Sequence, residues 1–152
     1  MNREIKFRGK RIDNNEWIYG YLVEYTYKDT IYANGTSPKT NYIYPMKKRS
    51  ELDCLEYYLK VVPETIGQYT GLMDKYGVDV YEGDIIDIHQ TVNGYNQFVI
   101  QYDNYKFSAR YYNQKTKQIL GWYQYDLDEL FEINEAEKEI EVIGNIYENE
   151  VD

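Results

Sequence analysis

The chain has 152 residues with 17 Lys+Arg against 26 Asp+Glu, a formal charge of -9, one His, one Cys, and 20 Tyr beside four Phe and two Trp. That length buries roughly two-thirds of the unfolded surface, so a core forms without disulfide or metal staples. The lone Cys54 excludes an intrachain disulfide framework and fits a reducing compartment, no apolar run reaches membrane-span length, and the charged start Arg3-Glu4-Ile5-Lys6 lacks a signal peptide's apolar core, so a soluble, cytoplasmic, unexported protein is expected.

In chain order, Ile5 and Phe7 alternate with Lys6, Arg8 and Lys10, and Asp13 to Glu16 break the run before Trp17 to Tyr25. This reads as an opening hairpin whose basic face is wet. Thr30 to Tyr32 and Tyr42 to Tyr44 flank the turn formers of Asn34 to Pro38, giving a second hairpin with a long loop. Ser50 to Lys60 fits a helix at Leu52, Leu55 and Leu59 but also alternates, and is read as a turn followed by a strand through Val62, stopped by Pro63. Gly67, Gly71, Gly77 and Gly83 punctuate the middle, with tight turns at Asp74 to Gly77 and at Glu82-Gly83-Asp84, the second feeding the β-branched run Ile85, Ile86, Ile88. Phe98, Ile100 and Tyr102 answer Phe107, Ala109 and Tyr111 across Asp103-Asn104, the clearest hairpin in the chain. A polar turn at Asn113 to Lys117 leads to a strand over Ile119 to Tyr125. Asp126 with Glu129 has capping spacing for a short helix over Leu127 to Phe131. Glu135 to Glu139 is a turn or second helical piece, and Glu141 to Tyr147 a last strand.

The opening Arg3-Glu4-Ile5-Lys6-Phe7-Arg8, the stretch Thr65 to Gly77, Val80-Tyr81-Glu82-Gly83-Asp84-Ile85-Ile86 and the closing Glu141 to Asn149 resemble, in order and spacing, the YopX family of phage and prophage proteins. The resemblance implies a β-rich domain with a barrel of complex topology and a phage or prophage origin; it implies no reaction. Met73 and Tyr76 depart from the family's tendency to Lys and Asn at those places, and the stretch between Tyr25 and Leu55 carries no family block. The expectation is thus a mostly β single domain over 1–152, with a hairpin subregion at 1–62, a small SH3-like or similar meander barrel at 63–149, and one or two short helices near the C-terminus. The motif positions Gly67, Tyr69, Thr70, Gly71, Asp74, Gly77, Tyr81, Glu82, Gly83, Asp84, Gly144 and Asn145 are read as structural, their glycines and acids serving tight turns.

Catalytic groupings are not evident. His89 and Cys54 stand 35 positions apart without a nucleophile-elbow context. Asp84, Asp87 and His89 have metal-ligand types, yet strand alternation puts only Asp87 and His89 on one face, short of a zinc set. Neither an enzyme nor a metal or cofactor is expected. The Tyr surplus suits interfaces, since each phenol brings large area, few rotatable bonds and a polar tip. Charge is polarised: residues 126–152 hold one Lys and eleven Asp+Glu, leaving the rest at +1, and Lys6, Arg8, Lys10 and Arg11 gather near the start with Lys47, Lys48 and Arg49 as a second cluster. The leading expectation is a non-enzymatic binding or regulatory module that self-associates and contacts a phage or host protein, the acidic end facing the basic strand in the same chain or a neighbouring subunit. The alternative is nucleic-acid binding, with Lys6, Arg8, Lys10 and Arg11 as a phosphate track beside tyrosines.

Overall fold

The computed structural model describes residues 4–26, 39–45, 58–133 and 140–148. It is mostly β, as the alternation predicts, and divides into two compact units, Met1–Gln68 and Tyr69–Asp152.

In the first unit β1 (Phe7–Lys10), β2 (Trp17–Thr26), β3 (Lys39–Pro45) and β4 (Leu59–Lys60) form an antiparallel sheet in the order β4-β3-β2-β1, joined on β1 by the start of β5 (Gly67–Met73). The β1–β2 hairpin stands where the Asp13 to Glu16 break predicts it, closed by the Arg11 N–H donating to Glu16 O at 2.9 Å and the Asn15 N–H to Arg11 O at 3.1 Å. The face carrying Gly9, Gly20, Leu22, Ile43 and Val61 is the core side, with Ile43 and Val61 almost fully buried. The strand expected through Val62 ends at Lys60; Val61 instead makes a single bridge to Arg11. The elements expected at Thr30 to Tyr32, Asn34 to Pro38 and Ser50 to Tyr57 lie outside the described residues.

In the second unit β5 continues and pairs with β6 (Asp79–Tyr81), a ladder whose register shifts between Tyr69 and Met73, where Gly71 has φ +94°. β7 (Asp84–Val92), β8 (Tyr95–Asp103), β9 (Lys106–Asn113) and β10 (Gln118–Asp126) form a meander, and β11 (Ile140–Asn145) returns beside β7 to give the order β10-β9-β8-β7-β11. One face holds Ile86, Ile88, Phe98, Ile100, Ala109 and Tyr111 against Leu127, Leu130 and Phe131 of the helix α1 (Leu127–Ile133). The opposite face adds a smaller cluster of Ile85, Val99 and Tyr112. Burial on both faces explains the unbroken apolar run at Ile85-Ile86.

The barrel is corrected: among the described residues the sheets are open, because no strand joins β10 to β11. Strand β5 was not foreseen, its bracketing glycines reading as turns. The β7–β8 hairpin was missed as well, although Asn93 (φ 50°) and Gly94 (φ 83°) form the Asn-Gly turn that suits a two-residue connection. The second helical piece expected at Glu135 to Glu139 lies outside the described residues.

At the β8–β9 turn, Asn104 (φ 47°) and Tyr105 (φ 66°) are both left-handed, and Tyr105 is 96% exposed. A side chain there strains the backbone without compensating burial, so Tyr105→Gly is expected to stabilise the protein by about 1 kcal/mol. A urea titration checks this; an unchanged or lower midpoint contradicts it.

Candidate functional site

Within the second unit the blocks around Asp74, Glu82-Gly83-Asp84 and β11 meet in space, and Asp74, Thr70 and Asp84 each hydrogen-bond to backbone. Asp74 is 5% exposed. Its Oδ1 accepts the N–H groups of Tyr76 at 2.8 Å and Val78 at 2.9 Å, and its Oδ2 accepts the N–H of Val142 in β11 at 3.1 Å. The Lys75 N–H donates to Ile140 O at 2.9 Å. Both β11 contacts fall on residues whose opposite neighbours lie in β7, so the Asp74 turn occupies the outer edge of β11 as a further strand would, blunting a pairing edge. The Lys75 ammonium pairs with Glu141 at 2.6 Å, and that contact raises its pKa. Gly77 supplies the turn's left-handed residue (φ +79°) and its N–H donates to Asp74 O at 2.9 Å. The departure at Tyr76 is tolerated because the turn uses its backbone N–H, while its side chain is 70% exposed with the ring 4.9 Å from the Lys75 ammonium.

The Glu82-Gly83-Asp84 turn is fixed to the same strand. Asp84, 1% exposed, accepts the Tyr81 N–H at 2.7 Å and the Asn145 amide at 3.3 Å. Gly83 has φ +85°, its N–H donates to Ile100 O at 2.8 Å, and its carbonyl accepts the Ile146 N–H at 3.0 Å. An added Cβ would meet Tyr147 Cε2 at 3.0 Å and Asn145 Nδ2 at 3.2 Å, so both backbone and space demand glycine. Thr70 donates to Val80 O at 2.9 Å, and the rings of Tyr69 and Tyr81 pack at 5.5 Å. Gly67 pairs with Arg8, Gly144 sits where the β11–β7 register shifts, and Glu82 accepts the Tyr102 N–H at 3.4 Å. The other acid of the metal triplet, Asp87, accepts the amides of Asn96 and Gln97. His89 lies in β7, and its side chain is outside what the structure describes. Asp74, Gly77, Gly83 and Asp84 thus hold turns, and Asp74 also bonds to the edge of β11.

The chain belongs to the YopX family: the YopX protein family model matches residues 6–151. No curated protein matches the chain. Among solved structures it is similar to the protein EF1440 from Enterococcus faecalis, at 21% identity over 97% of this chain and 96% of that one, with a TM-score of 0.48.

In the first unit of this YopX chain, the outward face of the β1–β4 sheet gathers aromatic and basic side chains. Register places Arg8 beside Tyr19, Lys10 beside Trp17, Tyr21 beside Tyr44, Val23 beside Tyr42, and Lys60 beside Tyr42 on the other side. Tyr19, Tyr21 and Tyr25 are each roughly half exposed, at 45%, 49% and 55%. Tyr58 packs on the same face, 6.4 Å from the Tyr42 ring and 5.7 Å from that of Tyr44. None of the residues that these four strands turn to this face is a carboxylate. The alternation of tyrosines in Trp17 to Tyr25 was the available sign of it.

The wet basic face is corrected. Arg8 and Lys10 are each only 7% exposed, and their heads lie over the Trp17 ring at 4.7 Å and 5.4 Å from its centroid. Cation–π contact with a large indole is one of the contacts that hold both cations, and their stems add apolar cover. Lys6 pairs with Glu4 at 3.3 Å, while Arg11 pairs with Asp13, raising the Arg11 pKa and lowering that of Asp13. The four cations are therefore not a continuous exposed track. Charge divides by unit, since 1–68 hold eleven Lys+Arg against nine Asp+Glu and 69–152 hold six against seventeen.

Other tyrosines are core material. Tyr111 is almost fully buried, its hydroxyl 2.9 Å from that of Tyr125, which in turn accepts the Asn93 amide at 2.7 Å. Burial, then the Tyr125 hydrogen bond, pushes the Tyr111 pKa up, so this phenol stays neutral. No described helix is long and apolar enough to cross a membrane.

Proposed function

We propose that the chain is a phage- or prophage-encoded accessory binding module, non-enzymatic, whose contact surface is the outward face of the β1–β4 sheet. The observation that carries the reading is the concentration of half-exposed tyrosines on that one face, set on a regular sheet whose other side is core. Rigid phenols held by strand register offer contact area at small entropic cost, the property that makes Tyr prominent in binding surfaces. The buried acids Asp74 and Asp84 support the non-enzymatic part, since their carboxylate oxygens already hold backbone or amide donors. Either a protein or a nucleic acid can use such a face.

The test is a pull-down from the bacterial host, with and without nuclease, using the wild type and a Tyr19→Ser/Tyr21→Ser/Tyr25→Ser variant matched in thermal midpoint. Face-dependent capture is expected. Identical capture by both proteins, or catalytic turnover abolished by one point substitution, overturns the reading.

A further inference from the structure

What the tyrosine face offers narrows its occupant. Outward rings on β2 are separated by roughly 7 Å from Tyr19 to Tyr21, two strand residues, and by roughly 13 Å from Tyr21 to Tyr25, with Val23 between them, about two and four times the spacing of bases along one strand of a duplex. Stacked bases cannot follow those intervals, whereas a splayed single strand places its bases on such rings one at a time, as sheet-based single-strand binders do. The polar fringe is cationic: Lys60 is exposed with its ammonium 5.9 Å from the Tyr42 centroid, Arg8 and Lys10 lie beneath on Trp17, and the strands present no carboxylate here to repel phosphate.

Resting on the reading that this face is the contact surface, we propose that it binds single-stranded nucleic acid. Bases stack on Tyr19, Tyr21, Tyr25 and Tyr44, and Lys60 meets the backbone. This differs from a phosphate track along β1, because the cations of β1 are sheltered and stacking supplies most of the affinity. Salt dependence is accordingly shallow: with one to three phosphates neutralised, the log–log slope is about -1 to -2.

The experiment is fluorescence anisotropy of a labelled oligothymidylate with the full chain at low ionic strength. Binding is expected, weakened roughly five- to hundredfold by Tyr21→Ser and again by Tyr25→Ser. Lys60→Glu is expected to weaken it less and to flatten the salt slope, and Tyr105→Ser, in the second unit, to leave it unchanged. Equal thermal midpoints for the Ser variants and the wild type establish that they are folded, and Tyr21→Phe, which keeps the ring, restores the affinity. Absence of binding at low salt, binding indifferent to the tyrosines, or equal competition by polyglutamate overturns the proposal. If nuclease-resistant protein capture still depends on the tyrosines, the binding-module reading stands while this one falls.

Discussion

Asp74→Ala is expected to cost about 2–4 kcal/mol, because it leaves the N–H groups of Tyr76, Val78 and Val142 without the carboxylate that accepts all three, at up to roughly 1–3 kcal/mol for a buried donor left unmet and less for those of the exposed Tyr76 and Val78, which water can reach. For a domain holding about 5–15 kcal/mol in total, that is a large share. The loss has two parts that separate experimentally. Asp74→Asn keeps an oxygen for Tyr76 and Val78 but turns an amide donor toward the Val142 N–H, so it is expected to fall between wild type and Asp74→Ala. The substitution also uncovers the outer edge of β11, so the Ala variant is expected to self-associate at concentrations where the wild type does not. Denaturant titration and sedimentation measure the two effects; a loss under about 1 kcal/mol removes Asp74 from the role of edge cap.

Gly20→Ala is the counterpart in the first unit. Gly20 lies mid-strand in β2, and a Cβ built there would sit 1.9 Å from Tyr44 O and 3.0 Å from Ile43 Cγ2. The obstacle is backbone of the neighbouring strand, which no rotamer change can move aside. The β2–β3 ladder runs through seven register pairs from Gly20↔Pro45 to Thr26↔Lys39, so opening it at one end disturbs the sheet that carries the tyrosine face. The expected cost is about 3 kcal/mol or more, at the upper end for overpacked sites. Thermal unfolding checks the stability, and oligothymidylate binding should fall with it. A wild-type midpoint for Gly20→Ala contradicts the packing described.

The hairpins were readable where one face is core and the other is not. Phe98, Ile100 and Tyr102 against Phe107, Ala109 and Tyr111 alternate because one side of β8 and β9 packs on α1, and local periodicity records that directly. Closure of a sheet is not local. Whether β10 and β11 pair depends on where the chain ends its last strand and on the Asp74 turn taking the β11 edge, a contact between positions 68 residues apart. The same limit governs the basic strand. Alternation assigned Arg8 and Lys10 to one side of β1, but only the cross-strand pairing of Lys10 with Trp17 brings both over an indole ring. The family blocks were legible as turns, and their convergence on β11 was not. The tyrosine face needed the β2–β3 register, which lines up Tyr21 with Tyr44 and Val23 with Tyr42.

The central claim is a division of labour, in which the shared motif residues build the fold and the β1–β4 tyrosines make the contacts. Amide and ring chemical-shift mapping during an oligothymidylate titration tests it most directly. The predicted shifts gather at Tyr19, Tyr21, Tyr25, Tyr44 and Lys60 and leave Asp74, Asp84 and Asn145 unmoved. Shifts gathered at Asp74, Asp84 and Asn145, with the tyrosine face silent, would contradict it.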